Sequence, residues 1–351
     1  MSKYWGRRRK NSSYTRNRSH RWSKIFLLLF LLILFVLFII NSSGSIFSFV
    51  ENKKLSIDNP ASKLVSSGWD AKSKINIVIN SKPILVISLD PSDKEITAVS
   101  ISEETYSNVG LGFGWYRMGS VYELGQLENS PRGGELLRLA TSKLLLVPID
   151  YFVNFNKDLS TANYQTVKKE ISKVGSFVTP FWLLTHPKYL NEHVDTNLTQ
   201  KEVLTLFWEL KGIRFHEDKF YDLKSDYLEE VVLPDDSKGY VLKTSADNFV
   251  SEIFEDHKIK QEDIGVAIVN GTKVSGLASD FARNLEHIGI NVIRIDNTET
   301  GIEKSSIEVS REFEDSYTLK KLEKILQTKA LVNGNLITED LKVTLGDDFD
   351  N

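Results

Sequence analysis

A basic tail that runs directly into a long apolar segment is the feature that most constrains this chain. Residues 1–24 hold nine Lys or Arg and no acidic residue, and residues 25–40 are 16 consecutive apolar residues. At about 1.5 Å per residue, a helix that continues to residue 44 spans about 30 Å, the thickness of a bilayer core. The positive charges predict a cytoplasmic N-terminus, with everything after about residue 46 outside the membrane.

A cleaved signal peptide is the competing interpretation of this segment. The apolar region of such a peptide is usually about 7–15 residues long and ends in small residues, and residues 43–45 read Ser-Gly-Ser. The run here is longer, so we expect an uncleaved anchor with the lipid bilayer as a partner. The predicted order is a cytoplasmic tail (1–24), a single N-terminal transmembrane helix (25–44) and a juxtamembrane stalk (45–72).

The net charge of −3 combines two unlike parts of the chain. Outside the tail, 35 basic residues accompany 47 acidic residues. An acidic exterior argues against nucleic acid as a partner, because that interaction needs clustered Lys and Arg. The chain has no Cys, so neither disulfides nor a lipid-modified cysteine can support the exported part.

Two α/β regions are predicted after the stalk, over residues 73–257 and 262–351. The first has strand-like runs at 74–80, 84–90, 95–102 and 147–156, with a helix that opens near Gly134. A short charged linker, KIKQED, joins the two. In the second region Ser275 is predicted to cap a helix that Gly289 closes. Its order of strand–helix–strand–strand–helix–strand matches a ferredoxin-like, split βαβ arrangement.

Part of the second region resembles a known family. The segment VAIVNGTKVSGLASDFARNLEHIGINV is similar to the C-terminal domain of LytR-CpsA-Psr envelope proteins, in which a strand ends in Asn-Gly and Gly-Leu-Ala opens a helix. The closing segment VTLGDDF is similar to the last strand of that domain, so the resemblance covers about residues 262–349. The matching residues are Asn270, Gly271, Gly276, Leu277, Ala278, Leu285, Gly289, Leu345, Gly346 and Asp348.

The segments INIVI, ILVISLDPSDKEITAVSIS and VPIDYFVNFN resemble the catalytic core of the same family. The resemblance implies transfer of glycopolymers from a polyprenyl pyrophosphate carrier to peptidoglycan, with arginines on the pyrophosphate and acidic residues on a divalent metal. The family's Pro-Arg-Asp-Thr is replaced here by Ser102-Glu103-Glu104-Thr105. A carboxylate in place of the arginine repels a pyrophosphate. We therefore expect a degenerate core with no catalytic residue, no metal ligand and no cofactor.

Several residues remain candidates for binding an anionic polymer. Arg117, Arg132 and Arg138 lie near the segment that borders the active cleft in the family, and arginine pairs well with phosphate. The alternative is that these arginines are simply solvated. The loop before the predicted helix, at residues 270–277, is a candidate anion site because free N–H groups point out of a helix N-terminus. Its residues are Asn270, Gly271, Thr272, Ser275 and Gly276, and a fold-determining turn is the simpler interpretation.

Two further groups have weaker support. The carboxylates of Asp90, Asp93, Glu103 and Glu104 are suitable ligands for a hard cation, although a solvated turn and strand end explain them as well. The aromatic side chains of Phe113, Trp115 and Tyr116 are suited to an isoprenoid or a sugar, although packing explains them too.

The sequence thus predicts a membrane-anchored, extracytoplasmic envelope protein that binds or scaffolds cell-wall glycopolymer, peptidoglycan or an envelope partner without catalysis. The alternative is a divergent glycopolymer transferase that uses Mg²⁺ and pairs Arg117, Arg132 or Arg138 with Glu103 or Glu104. A sensor is the third option, and it is the weakest because a tail of 24 residues cannot fold into a signalling domain.

Overall fold

The structure is a computed structural model that describes residues 68–110, 112–127, 133–155, 160–161, 163–176, 193–223, 227–232, 238–298 and 301–349. The predicted cytoplasmic tail, the predicted transmembrane helix, most of the predicted stalk and Arg132 lie outside these residues. Within the described ranges, no helix is both long enough and apolar enough to cross a membrane.

A six-stranded mixed sheet, sheet A, organises the first half of the described structure. Its strand order is β7-β6-β1-β2-β3-β8, in which β2 and β7 run opposite to the other four strands. A hairpin of β4 and β5 and another of β9 and β10 lie outside the sheet. In chain order the elements of this half are β1 (Ile75–Asn80), β2 (Ile84–Asp90), β3 (Glu95–Ile101), β4 (Tyr106–Asn108), β5 (Trp115–Arg117), α1 (Met118–Leu127), α2 (Gly133–Leu145), β6 (Tyr151–Phe155), α3 (Tyr164–Val174), β7 (Val194–Thr196), α4 (Gln200–Glu209), β8 (Phe220–Leu223), β9 (Leu228–Val232), β10 (Lys238–Leu242), α5 (Asp247–Phe254) and α6 (His257–Glu262).

Both faces of sheet A are covered, which explains the nearly continuous apolar runs of its central strands. On one face, Ile75 and Leu85 pack in a cluster with Val203 of α4. On the other, Val78 and Val86 pack in a second cluster that includes α2. The side chain of Trp69, within the predicted stalk, is buried in the first cluster, so the packed structure extends to this residue.

Local sequence signals account for several helices. Leu137, Ala140 and Leu144 of α2 are buried on one face, as their spacing predicts. Thr199 caps α4 in a reciprocal capping box with Glu202. The predicted linker KIKQED is wrong, because this segment forms most of α6. The Asp256 carboxylate caps α6 by accepting from the N–H of Lys258, and α6 also buries Ile259.

A five-stranded sheet, sheet B, organises the second half. Its strand order is β12-β11-β15-β13-β14, with β11 parallel to both β12 and β15. Its elements are β11 (Gly265–Asn270), α7 (Leu277–His287), β12 (Asn291–Asn297), β13 (Ser306–Val309), α8 (Tyr317–Leu326), β14 (Leu331–Val332) and β15 (Leu341–Leu345).

The six predicted strands and helices of this half all form, but the short strand β14 was not predicted, and the ferredoxin-like topology is wrong. A split βαβ unit places another strand between the two strands that its helix connects. Here β12 pairs directly with β11, and β15 lies on the other side of β11. The left-handed Gly289, with a φ of 93°, ends α7 as expected and returns the chain to the strand next to β11.

A buried ion cluster joins the two halves. The side chain of Asp150, just before β6, is only 3% exposed and lies 3.3 Å from the ammonium group of Lys321 and 3.1 Å from that of Lys324, both on α8. The backbone N–H of Asn76 donates to the same carboxylate at 2.9 Å. Burial alone raises the pKa of Asp150, but the two ammonium groups outweigh burial and lower this pKa to about 2.

Further contacts lie beside this cluster, one within the first half and one between the two halves. The Lys74 ammonium donates to the carbonyl oxygens of Ile253 and Glu255, at 3.1 and 2.8 Å, where α5 ends. The Tyr317 hydroxyl donates to the Asp256 carboxylate at 2.6 Å. Burial raises the pKa of Tyr317, and Asp256 raises it further, so this hydroxyl remains a donor at neutral pH.

We predict that Asp150→Asn lowers the free energy of unfolding by about 3 kcal/mol, because the buried Lys321 and the partly buried Lys324 lose their carboxylate. Denaturant unfolding followed by Trp fluorescence measures the change. The matched control is Asp315→Asn, since the Asp315 side chain is 96% exposed and lies 3.8 Å from Lys320. This control should change stability by less than about 0.5 kcal/mol. Equal losses in the two variants would contradict the role of Asp150.

The pH dependence of the same interaction has a definite sign. Folding lowers the Asp150 pKa, so its stabilisation is present above the ordinary carboxyl pKa, near 4, and is lost as the pH falls towards 2. This shift corresponds to about 2 kcal/mol. The acid-induced loss of stability between about pH 4 and 2 should therefore be smaller in Asp150→Asn than in the unsubstituted chain.

Candidate functional site

One edge of sheet A collects the ends of several strands that run in the same direction. The carboxyl ends of β1, β3 and β6 meet there, beside the start of the antiparallel β7. Open α/β sheets bind ligands at the carboxyl ends of their parallel strands. We call this region the carboxyl edge and take it as the candidate functional site.

A chain of hydrogen bonds crosses the β1–β6 side of the carboxyl edge. The amide of Asn80 donates to Asn154 Oδ1 at 3.0 Å, and the amide of Asn154 donates to the Tyr122 hydroxyl at 2.8 Å. The Tyr122 hydroxyl in turn donates to Asp195 Oδ2 at 2.9 Å. Burial raises the pKa of Tyr122, as does the Asp195 carboxylate, so the hydroxyl stays protonated and keeps its role as donor.

Two glycines allow the start of α2 to pack closely against β6 and α1. A Cβ on Gly134 would lie 2.0 Å from the buried ring of Phe152 in β6. A Cβ on Gly133 would lie 2.2 Å from the carbonyl oxygen of Tyr122 in α1. The two helices therefore close on β6 only because these positions lack side chains.

The β3 side of the carboxyl edge carries acidic residues. The N–H of Gly119, at the start of α1, donates to the Glu103 carbonyl at 3.1 Å, and a Cβ on Gly119 would lie 2.8 Å from Glu103 Cβ. The Glu104 carboxylate lies 3.1 Å from Arg117 Nη1. The Tyr106 hydroxyl accepts from Arg117 Nε at 2.9 Å, and this hydrogen bond, together with Glu104, raises the pKa of Arg117.

This arrangement determines which charges a ligand would meet. Glu103, Glu104 and Asp195 lie at the carboxyl edge together with Arg117 and Lys82, so three acidic side chains accompany two basic ones there. Arg117 is already held by Glu104 and Tyr106. A pyrophosphate here would approach carboxylates and would compete with Glu104 for Arg117, which disfavours its binding.

Arg117 and Arg138, the two predicted arginines within the described residues, contact different partners. Arg138 lies in the middle of α2, where its Nε donates to Glu135 Oε1 at 2.9 Å and its Nη1 donates to the Ile149 carbonyl at 2.8 Å. Its side chain is only 19% exposed. Burial lowers its pKa, but the Glu135 carboxylate outweighs burial, and the pKa is raised. Arg138 thus ties α2 to the segment before β6 rather than facing a ligand.

The four carboxylates considered as a cation site do not come together. Asp90 and Asp93 lie at the turn between β2 and β3, whereas Glu103 and Glu104 follow the far end of β3, about 20 Å away at 3.4 Å per residue. Asp90 accepts from the N–H groups of Ser92 and Asp93, as a turn residue does. No group of three or more His, Cys, Asp or Glu in the described part of the chain is placed to hold a metal.

The predicted anion-binding loop at residues 270–277 is held by its own side chains. Asn270 Oδ1 accepts from the N–H and the hydroxyl of Thr272, and Asn270 Nδ2 donates to the Val274 carbonyl. Gly271 lies against the end of β15, where a Cβ would be 2.5 Å from the Leu345 carbonyl oxygen. These contacts describe a fold-determining turn.

The predicted capping role of Ser275 is wrong. Gly276 is the N-cap of α7, with a φ of 83° and no side-chain capping bond, so the helix begins one residue later than the Ser275 cap requires. The left-handed conformation that glycine permits replaces the hydroxyl cap.

The sequence interpretation missed the hydrogen-bond chain of the carboxyl edge. Asn80 and Asn154 each lie near the end of an apolar strand, and this position is the feature of the sequence from which they could have been predicted as site residues. Tyr122 gave none, because α1 itself was not predicted. Asp195 lies in no recognisable motif, and the contact that places it at the carboxyl edge is the hydrogen bond from the Tyr122 hydroxyl.

Comparison with known families supports the interpretation of the second half. Residues 263–349 match the family model described as LytR cell envelope-related transcriptional attenuator. This match confirms the resemblance of residues 262–349 to the C-terminal domain of LytR-CpsA-Psr proteins. No curated protein sequence matches the chain significantly.

Several solved structures are similar to this chain at low sequence identity. TagU of B. subtilis is 16% identical over 50% of this chain and 92% of its own, with a TM-score of 0.34. TagV of B. subtilis is 14% identical over 63% of this chain and 99% of its own, with a TM-score of 0.37. A structure of TagT bound to LIIa-WTA is 12% identical over 52% of this chain and 90% of its own, with a TM-score of 0.34. All three are LytR-CpsA-Psr family proteins.

We predict that Gly134→Ala lowers the free energy of unfolding by about 2–3 kcal/mol, because the added methyl overlaps the Phe152 ring. Gly334→Ala is the control, since a Cβ there meets nothing within 4 Å. Thermal unfolding of the two variants compares them. Similar midpoints would mean that α2 does not close on β6 as described.

We predict that Tyr122→Phe lowers the free energy of unfolding by about 1–2 kcal/mol, because Asp195 and Asn154 each lose a hydrogen-bond partner in a half-buried position. Tyr116→Phe, on the exposed β4–β5 hairpin, is the control and should be close to neutral. Denaturant titration measures both, and an unchanged midpoint for Tyr122→Phe would contradict the proposed chain.

Proposed function

We propose, on the premise of a LytR-type domain at residues 263–349, that this protein is a membrane-anchored, extracytoplasmic component of the cell envelope. In this proposal it binds wall polymer and does not transfer it. The observation that carries the non-catalytic part is the arrangement of Glu103, Glu104 and Arg117 at the carboxyl edge.

The envelope location is supported by two independent features. The family model that matches residues 263–349 is described as cell envelope-related. The basic tail and the 16-residue apolar run at residues 25–40 have the charge asymmetry and length of an anchor whose N-terminus stays in the cytoplasm. An anchor of this kind places both sheets outside the membrane, next to the wall.

The absence of transfer is argued from charge. A pyrophosphate carries several negative charges, so its site needs cations that are free to pair with it. Among the described residues of the carboxyl edge, the arginine Arg117 is paired with Glu104, and Glu103 and Asp195 add negative charge. Arg138 is buried against Glu135. The edge therefore favours hydrogen-bonding ligands over polyanions.

The polar chain from Asn80 to Asp195 gives this edge a structural role. Its side chains donate hydrogen bonds to one another. A fold that satisfies these groups internally can keep its shape without a charged ligand.

We predict that the purified full-length chain, in detergent micelles, cosediments with insoluble peptidoglycan sacculi. The same chain, mixed with a polyprenyl pyrophosphate and Mg²⁺, should release no phosphate. Arg117→Ala should leave the absence of phosphate release unchanged, because this arginine is already paired with Glu104 and Tyr106.

Two results would overturn this proposal in different ways. Phosphate release that disappears in Arg132→Ala or Arg117→Ala would establish the divergent transferase instead. Failure to cosediment with sacculi, with no phosphate release, would exclude wall binding and leave an envelope protein that acts on another partner.

A further inference from the structure

The β4–β5 hairpin has two unlike sides. Ser107 faces the helix α2, where its hydroxyl donates to the Ala140 carbonyl at 2.9 Å. Residues that alternate with Ser107 point the other way, towards solvent. Directly opposite residues of the two strands share a side, and the pairs on the outer side are Tyr106 with Arg117 and Asn108 with Trp115. We call these four residues the hairpin platform.

The hairpin platform exposes a large aromatic side chain. Trp115 is 43% exposed, although tryptophan is usually well buried in a folded chain. Tyr106 lies diagonally across from it, about 7–8 Å away for such a pair in an antiparallel ladder. The platform therefore offers two aromatic rings on one surface.

Hydrogen-bonding groups with fixed positions surround these rings. Arg117 Nε donates to the Tyr106 hydroxyl at 2.9 Å, and its guanidinium pairs with Glu104 at 3.1 Å. Asn108 Oδ1 accepts from the Gly110 N–H at 3.1 Å, which holds the amide in place. Side chains that are already ordered lose little conformational entropy when a ligand binds.

We infer that the hairpin platform is a binding site for an uncharged glycan, with a pyranose ring stacked on Trp115. The apolar C–H face of a pyranose packs on an aromatic ring, and its hydroxyls need donors and acceptors around the rim. Arg117 and Asn108 supply donors, and Glu104 supplies acceptors. This inference rests on the proposed function and names the surface and ligand class through which the wall is bound.

The charge and size of the hairpin platform favour an uncharged glycan as its ligand. Arg117 is neutralised by Glu104, so an anionic polymer or an anionic lipid headgroup finds no unpaired cation among these four residues and Glu104. The platform is only four side chains, too small for the roughly 800 Å² per partner of a stable protein interface. A sugar ring is small enough and carries the matching mixture of C–H and O–H groups.

The test uses the full-length chain in detergent and chitohexaose, an uncharged β-1,4-linked hexasaccharide, as probe. Trp115→Ala should weaken chitohexaose binding at least about tenfold, as measured by isothermal titration. Trp115→Phe, which keeps a smaller ring, should lose less. The matched control is Trp208→Ala, because Trp208 is 58% exposed on α4, which packs on sheet A. It should bind chitohexaose as the unsubstituted chain does.

Each outcome separates this inference from the proposed function. Sacculus binding that is equal in Trp115→Ala and Trp208→Ala would overturn the platform and leave the proposed function standing. Trp115-dependent chitohexaose binding without sacculus binding would support the platform and overturn the proposed function. Trp115-dependent binding to anionic phospholipid vesicles or to poly(glycerol phosphate), with none to chitohexaose, would overturn the choice of an uncharged glycan. Equal unfolding midpoints for the two Ala variants confirm that folding is intact.

Discussion

The carboxylate of Asp150, held between the ammonium groups of Lys321 and Lys324, joins the chain of sheet A to the helix α8 beside sheet B. Such a cluster is favourable only while all its members are present, because each buried charge depends on the others for compensation. Asp150 is also anchored from its own side by the N–H of Asn76. The two sheets therefore belong to one compact unit, joined by buried contacts. Apolar packing agrees, since one continuous buried cluster includes residues of both sheets.

The carboxyl edge keeps the layout of a ligand-binding edge while its charges oppose a polyanion. Strands of the same direction still end there, and two helices still close over it through Gly133 and Gly134. The backbone at the start of α1 bonds to the Glu103 carbonyl, and Arg117 is occupied by Glu104.

Local sequence signals predicted much of the fold, and non-local contacts explain the rest. The Thr199 cap and the left-handed Gly289 were readable because each acts within one turn of its own helix. The strand order of sheet B could not be predicted from the sequence, because it depends on which distant segments pair. The pairing of Asp150 with Lys321 spans 171 residues and has no local pattern. Helix α1 was missed because its first N–H groups bond to the preceding loop at Glu103 and Thr105 rather than to a capping side chain. Without α1, the role of Tyr122 at the candidate site was invisible.

Hydrogen bonds connect the hairpin platform to the ion cluster around Asp150. The hairpin rests on α2 through the Ser107 hydroxyl, and α2 is tied through Arg138 to the Ile149 carbonyl, next to Asp150. The path from the hairpin platform to sheet B thus consists of hydrogen bonds and ion pairs between packed elements. A glycan stacked on Trp115 would be presented at a constant distance and angle to the LytR-type domain. A binding protein with this rigidity can set the spacing between a wall strand and whatever its second domain contacts, which a flexible tether cannot do.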